Sequence, residues 1–238
     1  MDILLRLLFA HIIADFFLQT NKMNIGKNSV NRCKWLYLLC HSLIHAAIAY
    51  AIIAQWGNWL IPLIVFFSHF VIDTIKVGLN QSSLTAFILD QMAHVSILFL
   101  IAFYETGEIL LGNFPPQLST SNKILTYLTG YILMLKPSSI IINLLLKRWN
   151  MESYPLRGLP YAGTWIGILE RIMIITFVLT NNVGGIGFLL TAKSIFRFGD
   201  LNKAKEIKTT EYVMVGTLTS FTMAILVAYA IRLITQSY

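Results

Sequence analysis

The sequence predicts an all-α fold, a polytopic transmembrane helical bundle of about eight spans. Three observations predict it. Of 238 residues, 56% are apolar and 12% are charged, about half the charged share of a soluble domain. Apolar runs of about 20 residues recur along the whole chain, long enough to cross a hydrocarbon core of about 30 Å. Within the early runs the few polar residues recur four apart, the period of one helix face.

The expected spans are roughly 2–20, 35–55, 58–79, 84–104, 123–146, 161–181, 183–198 and 211–235. The first opens the chain but lacks the basic start and small-residue cleavage site of a signal peptide, and it carries His11 and Asp15. The fifth is interrupted by Lys136-Pro137-Ser138-Ser139, which predicts a kink or break. The sixth contains Gly163-x-x-x-Gly167, a pattern that permits close helix contact. The seventh is short and opens on Gly184, Gly185 and Gly187. A division into residues 1–111, a four-helix half, and 112–238, a second half, is expected within one membrane domain.

Charge orients the bundle. Lys22, Lys27, Arg32 and Lys34 follow the first span, Lys76 the third, Lys147, Arg148 and Arg157 the fifth, and Arg197, Lys203, Lys205 and Lys208 the seventh. With alternating spans these loops share one side, which the positive-inside rule makes cytoplasmic, with both termini outside. The net charge of +7 is then a topological signal, and nucleic-acid binding is excluded because no soluble basic domain carries it. Cys33 and Cys40 match no disulfide or paired metal pattern.

All five histidines lie in the first 94 residues, each with a partner four residues away: His11/Asp15, His41/His45, His69/Asp73 and Asp90/His94. By span parity all four pairs lie toward the cytoplasmic end. Counting inward gives two layers: Asp15, His41, Asp73 and Asp90 nearer the end, and His11, His45, His69 and His94 one turn deeper, roughly 6 Å. A single intramembrane histidine usually hydrogen-bonds to a neighbouring helix. Four pairs in register on consecutive spans, with three carboxylates that would repel one another, point to bound cations, the alternative being a proton relay or polar network of the same residues without a metal. The eight residues are candidate ligands for one or two divalent ions, with Asp15, Asp73 or Asp90 as a candidate general base. Mixed His and Asp ligands without Cys suit Zn, Mn or Fe. Gln19 shares the face of Asp15; Gln91 is expected to point elsewhere on its helix.

A second polar group comprises Glu170, Arg171, Lys193, Arg197 and Glu211. It is either a set of interhelical ion pairs, Glu170 with Lys193 or Arg171 with Glu211, or an anion site for a substrate headgroup, with Ser194, Thr217 and Ser220 as added donors.

His11-x-x-x-Asp15-Phe16-x-Leu18-Gln19, the His69/Asp73 pair and Asp90-Gln91-x-x-His94 resemble an uncharacterised family of bacterial integral-membrane proteins, a domain of unknown function. Leu169-Glu170-Arg171, Ala192-Lys193-Ser194 through Arg197-Phe198, and Glu211-Tyr212 through Gly216-Thr217-Leu218 resemble its longer members. The resemblance implies a bacterial inner-membrane protein and brings no activity. A looser similarity is to the membrane-bound metal-dependent hydrolases, an analogy of pattern. The expected function is a metal-dependent hydrolase acting on a lipid or lipid-linked substrate from the cytoplasmic side. The alternatives are a transporter of divalent cation or proton-coupled anion, a di-iron oxygenase, and a metal-stabilised scaffold.

Overall fold

In a computed structural model the apolar runs form helices. The structure describes residues 2–29, 32–79, 83–107, 118–149, 159, 161–195 and 204–235, and among these there is no strand. The helices are α1 (Asp2–Ile13), α2 (Asn21–Lys27), α3 (Cys33–Ile53), α4 (Leu60–Leu79), α5 (Leu84–Thr106), α6 (Thr120–Leu133), α7 (Lys136–Leu146), α8 (Ala162–Leu179), α9 (Gly184–Ile195) and α10 (Ala204–Thr235). Six segments are long and apolar enough to cross a membrane, α6 with α7 counting as one. The first expected span is not straight. After Ile13 the helix widens into a π-helical turn, Ala14–Leu18, and the chain then bends by 91° into α2. The seventh expected span is the short α9. Among the described residues the eight expected apolar segments are therefore present, six of them long and apolar enough to cross a membrane and a seventh if the bent first segment is counted as one.

The chain divides into two compact units, Met1–Thr129 and Gly130–Gln236. In the first, α1, α3, α4 and α5 alternate in direction. Arg6 on α1 donates to the Ile52 and Ile53 carbonyls at the end of α3 (3.3 and 3.2 Å), closing acceptors that the helix leaves open. At the same end Asn58, ahead of α4, donates to Glu105 near the end of α5 (3.0 Å). This half of the bundle is filled by Leu4, Leu7, Ile53, Ile61, Val65, Leu98 and Ile101. The other half of its interior is polar. Outward-facing residues are apolar, as in Leu43, Phe67, Leu89 and Leu100, so the surface meets lipid while the polar groups turn inward.

Local signals set the ends. Thr20 caps α2 by accepting from the Met23 amide (3.2 Å), and Ser83 caps α5 by accepting from the Ala86 amide (3.2 Å). Gly107 closes α5 with a positive φ of 64°. Gly26 lets α2 lie directly on α3: a Cβ there would run into the Tyr37 ring.

In the second unit the expected break appears between α6 and α7. It falls at Met134 and Leu135, just ahead of Pro137, which occupies the first turn of α7. Ile174, Ile175, Val178, Phe221, Ala224 and Ala228 pack with Met134 as the core.

Candidate metal centre

Four helices and the π turn deliver the polar half of the first unit. His11, His41, His45, His69, Asp73, Asp90 and His94 are all buried. The eight residues singled out by spacing are brought together, and the two layers interlock. His41 Nε2 and His45 Nε2 both lie 3.1 Å from Asp15 Oδ1. The His45 and His69 rings stack with centroids 3.7 Å apart, and those of His69 and His94 at 4.1 Å. His94 Nε2 faces Asp90 Oδ1 at 3.6 Å and Asp73 Oδ1 at 3.9 Å. Three sets, the first two sharing His45, each offer donor atoms within 4.8 Å of one another: His11 with His45 and His69, Asp15 with His41 and His45, and Asp73 with Asp90 and His94.

The π turn places Asp15. Widening one turn breaks the regular advance of an α-helix, and such turns are frequent at functional sites. Here it carries the Asp15 carboxylate between α3 and α5, where it also receives an amide from Gln91 Nε2 at 2.9 Å.

Hydrogen-bond roles can be followed around the site. His69 Nδ1 donates to the Val65 carbonyl at 3.2 Å, so its Nε2 keeps a lone pair. Because Gln91 spends its amide on Asp15, its carbonyl oxygen faces His11 Nε2 at 3.2 Å and accepts a hydrogen bond from it. His11 Nδ1 is then a lone pair too in the neutral ring, and it faces His69 Nε2 at 3.2 Å. Two lone pairs at that distance repel unless a proton or a metal ion lies between them. Two nitrogens on one tetrahedral ion, each about 2.1 Å from it, are about 3.4 Å apart. A ring whose far nitrogen is pinned by a carbonyl or amide is also how proteins hold a metal-binding histidine. His41 Nδ1, His94 Nδ1 and Asp90 Oδ1 are buried without a hydrogen-bond partner among the described residues.

Three residues at the site were assigned elsewhere from sequence. Gln91, expected to point away, bridges His11, Asp15 and Asp90. It follows Asp90 on the helix, but its long side chain swings across the flank toward α1. Lys27 and Lys76, read as loop charges, reach into the cluster. Lys27 Nζ donates to Asp73 Oδ2 at 2.7 Å and is buried; Lys76 Nζ donates to Asp90 Oδ2 at 2.6 Å. The expectation of three uncompensated carboxylates is corrected accordingly: two have ammonium partners, and with neutral histidines one net negative charge remains. Gln19 bonds to the Asp15 backbone rather than its carboxylate. Its amide donates to the Asp15 carbonyl at 3.1 Å and its oxygen accepts from Lys27 Nζ at 3.0 Å.

The second polar group is arranged differently. Lys193 Nζ donates to Glu170 Oε2 at 2.6 Å, the first of the two expected pairs. Arg171 is not held by Glu211. It donates through Nε to the Met134 carbonyl (2.9 Å), through Nη1 to Ser220 (3.2 Å) and through Nη2 to Ser139 (2.7 Å). The break between α6 and α7 frees the Met134 carbonyl, and a buried guanidinium finds neutral acceptors there, while Glu211 is exposed. Arg197 lies outside the described residues.

A family model described as "Protein of unknown function (DUF3307)" matches residues 3–122, and the chain belongs to that family. The matched segment contains all eight His and Asp residues of the cluster with Gln91, Lys27 and Lys76; the second polar group lies beyond it. Comparison with curated proteins and with solved structures found no match.

Proposed function

We propose that this chain is a membrane-embedded, metal-dependent hydrolase that acts on a lipid or lipid-linked substrate from the cytoplasmic side of a bacterial inner membrane. The observation that carries the reading is the approach of His11 Nδ1 and His69 Nε2 to 3.2 Å while the other nitrogen of each ring is turned to an oxygen acceptor. A divalent ion of the Zn, Mn or Fe class, held by His11, His69 and His45, accounts for it. Three histidines with a fourth position for water is a ligand set of catalytic zinc sites. When bound, such an ion lowers the pKa of its water and polarises a carbonyl or phosphoryl oxygen.

The remaining residues have distinct tasks in this reading. Gln91 fixes the tautomer of His11, and the Val65 carbonyl fixes that of His69. Asp15 is the general base. It is the most accessible of the three carboxylates, its side chain 11% exposed against 5% for Asp73 and Asp90. The charge count favours one ion over two, because the two lysines already offset two carboxylates. Access from one side is supported by the apolar filling of the opposite half of the unit, including Leu7, Ile61, Val65 and Leu98. Lys22, Lys27 and Lys34 cluster at the site end, which supports the cytoplasmic orientation.

Protein purified in detergent is expected to hold about one divalent ion per chain by elemental analysis. The same protein should release headgroups from a membrane lipid extract in a metal-dependent way, and Asp15→Asn should retain the metal while losing turnover. Folded protein that binds no divalent ion would sink the metal reading. Metal-loaded protein that is inert on lipid and lets metal into proteoliposomes would replace hydrolysis by transport.

A further inference from the structure

Resting on that reading, we infer that the centre recognises a phosphate diester, and that Lys27 and Lys76 are the residues that position it. Both ammonium groups flank the same three residues. Lys27 arrives from α2 onto Asp73 and Lys76 from α4 onto Asp90, and the free oxygens of those two carboxylates face His94 Nε2 at 3.9 and 3.6 Å. Each lysine therefore holds only the outer oxygen of its carboxylate. An ammonium group has three donors. Lys27 spends two, on Asp73 and Gln19, and the Lys76 side chain is 41% exposed and open to an incoming group.

Charge selects the class of ligand. With all the histidines neutral, Asp15, Asp73 and Asp90 against Lys27 and Lys76 leave one net negative charge, which a divalent ion turns into one net positive charge. In a membrane interior that excess is costly, and a singly charged anion cancels it. A phosphate diester is singly charged at neutral pH, whereas a monoester carries close to two charges. A carboxylate has the same single charge, but planar carboxylates are best met by the flat fork of arginine, while lysine meets tetrahedral phosphate as a point charge. Depth agrees with an amphipathic diester. Trp35, half exposed as membrane-interface aromatics are, precedes His41 by six residues, about 9 Å along the helix. A headgroup would sit beside the lysines with its chains against the apolar outer face.

The test uses the full chain in a phosphate-free detergent, loaded with Mn2+. A paramagnetic ion close to a bound phosphorus broadens its 31P line. Dimethyl phosphate and a short-chain phosphatidylglycerol are compared as probes. Broadening of both equally assigns a soluble diester; broadening of the lipid alone assigns a headgroup with its chains. Either supports the inference if Lys76→Gln and Lys27→Gln keep the Mn2+ content and each weaken the effect about tenfold or more. Lys76 is partly exposed, so Lys76→Gln decides the matter if Lys27→Gln does not fold. Broadening unchanged in Lys76→Gln overturns the lysine role. Stronger competition by methyl phosphate or decanoate than by the diester overturns the diester class. Mn2+ bound with neither probe broadened sinks this inference alone, whereas failure to bind Mn2+ sinks the metal reading and this inference with it.

Discussion

Both units bury charge in an apolar environment, and they balance it in opposite ways. In the second unit each buried cation has its acceptor: Lys193 meets Glu170, and Arg171 spends its Nε, Nη1 and Nη2 on Met134, Ser220 and Ser139. In the first unit the account does not close. In the neutral rings two imidazole lone pairs face each other, and three buried polar atoms lack hydrogen-bond partners among the described residues. A polar cluster that satisfies itself holds helices together, whereas one that remains short of a cation is built around something it binds.

Removing a donor atom should separate the two behaviours most. His69→Ala takes away one of the two facing nitrogens, and bound metal should fall from about one ion per chain to near none, with helix content unchanged by circular dichroism. Metal retained at full stoichiometry would move the ion to the Asp15, His41 and His45 set. Arg171→Met is the converse case. It should leave metal content intact and cost about 2 kcal/mol of stability, the sum of three intramembrane hydrogen bonds at about 0.6 kcal/mol each. A thermal unfolding shift without metal loss checks it.

Gln91→Leu sharpens the tautomer argument. Freed from the Gln91 oxygen, His11 can place its proton on Nδ1, and metal affinity should fall by about 10- to 100-fold without abolition of binding. Competition with a chelator of known affinity measures this. The smallest effect on the metal is expected from Gly26→Ala. The new methyl group meets the Tyr37 ring, so α2 must lift from α3 at a cost of about 1–3 kcal/mol. Lys27 should then become reactive to amine-modifying reagents from which burial now shields it.

What could be read from sequence follows the range over which each interaction acts. The pairs four residues apart are local, and helical geometry alone puts them on one face; alternation of spans then brings four faces to one end. The π turn and the bend after it are not local in that sense. The stretch Ala14–Leu18 contains no proline or glycine, so the apolar pattern runs through it unmarked. Because the bend was hidden, Lys27 was counted as a loop charge although it lies on α2 against Asp73. Lys76 was absorbed by the same charge rule. Gln91 escaped because it adjoins Asp90, and face assignment follows the Cα position while a long side chain reaches further. In the second unit Pro137 announced the break, but not that Arg171 would close it, since that partner is a backbone carbonyl and carries no residue signature.

The π turn at Asp15 also bears on how the chain is made. Asp15 leaves the ribosome after His11, which lies 3.6 Å from its carboxylate in the folded chain, but before the residues of later helices that will hold it. His41 follows 26 residues later, His45 30 and Gln91 76. At about 5–20 residues per second, the last of these arrives about 4–15 s after Asp15 itself. For that interval the Asp15 carboxylate has His11 beside it but none of its hydrogen-bond partners from the later helices.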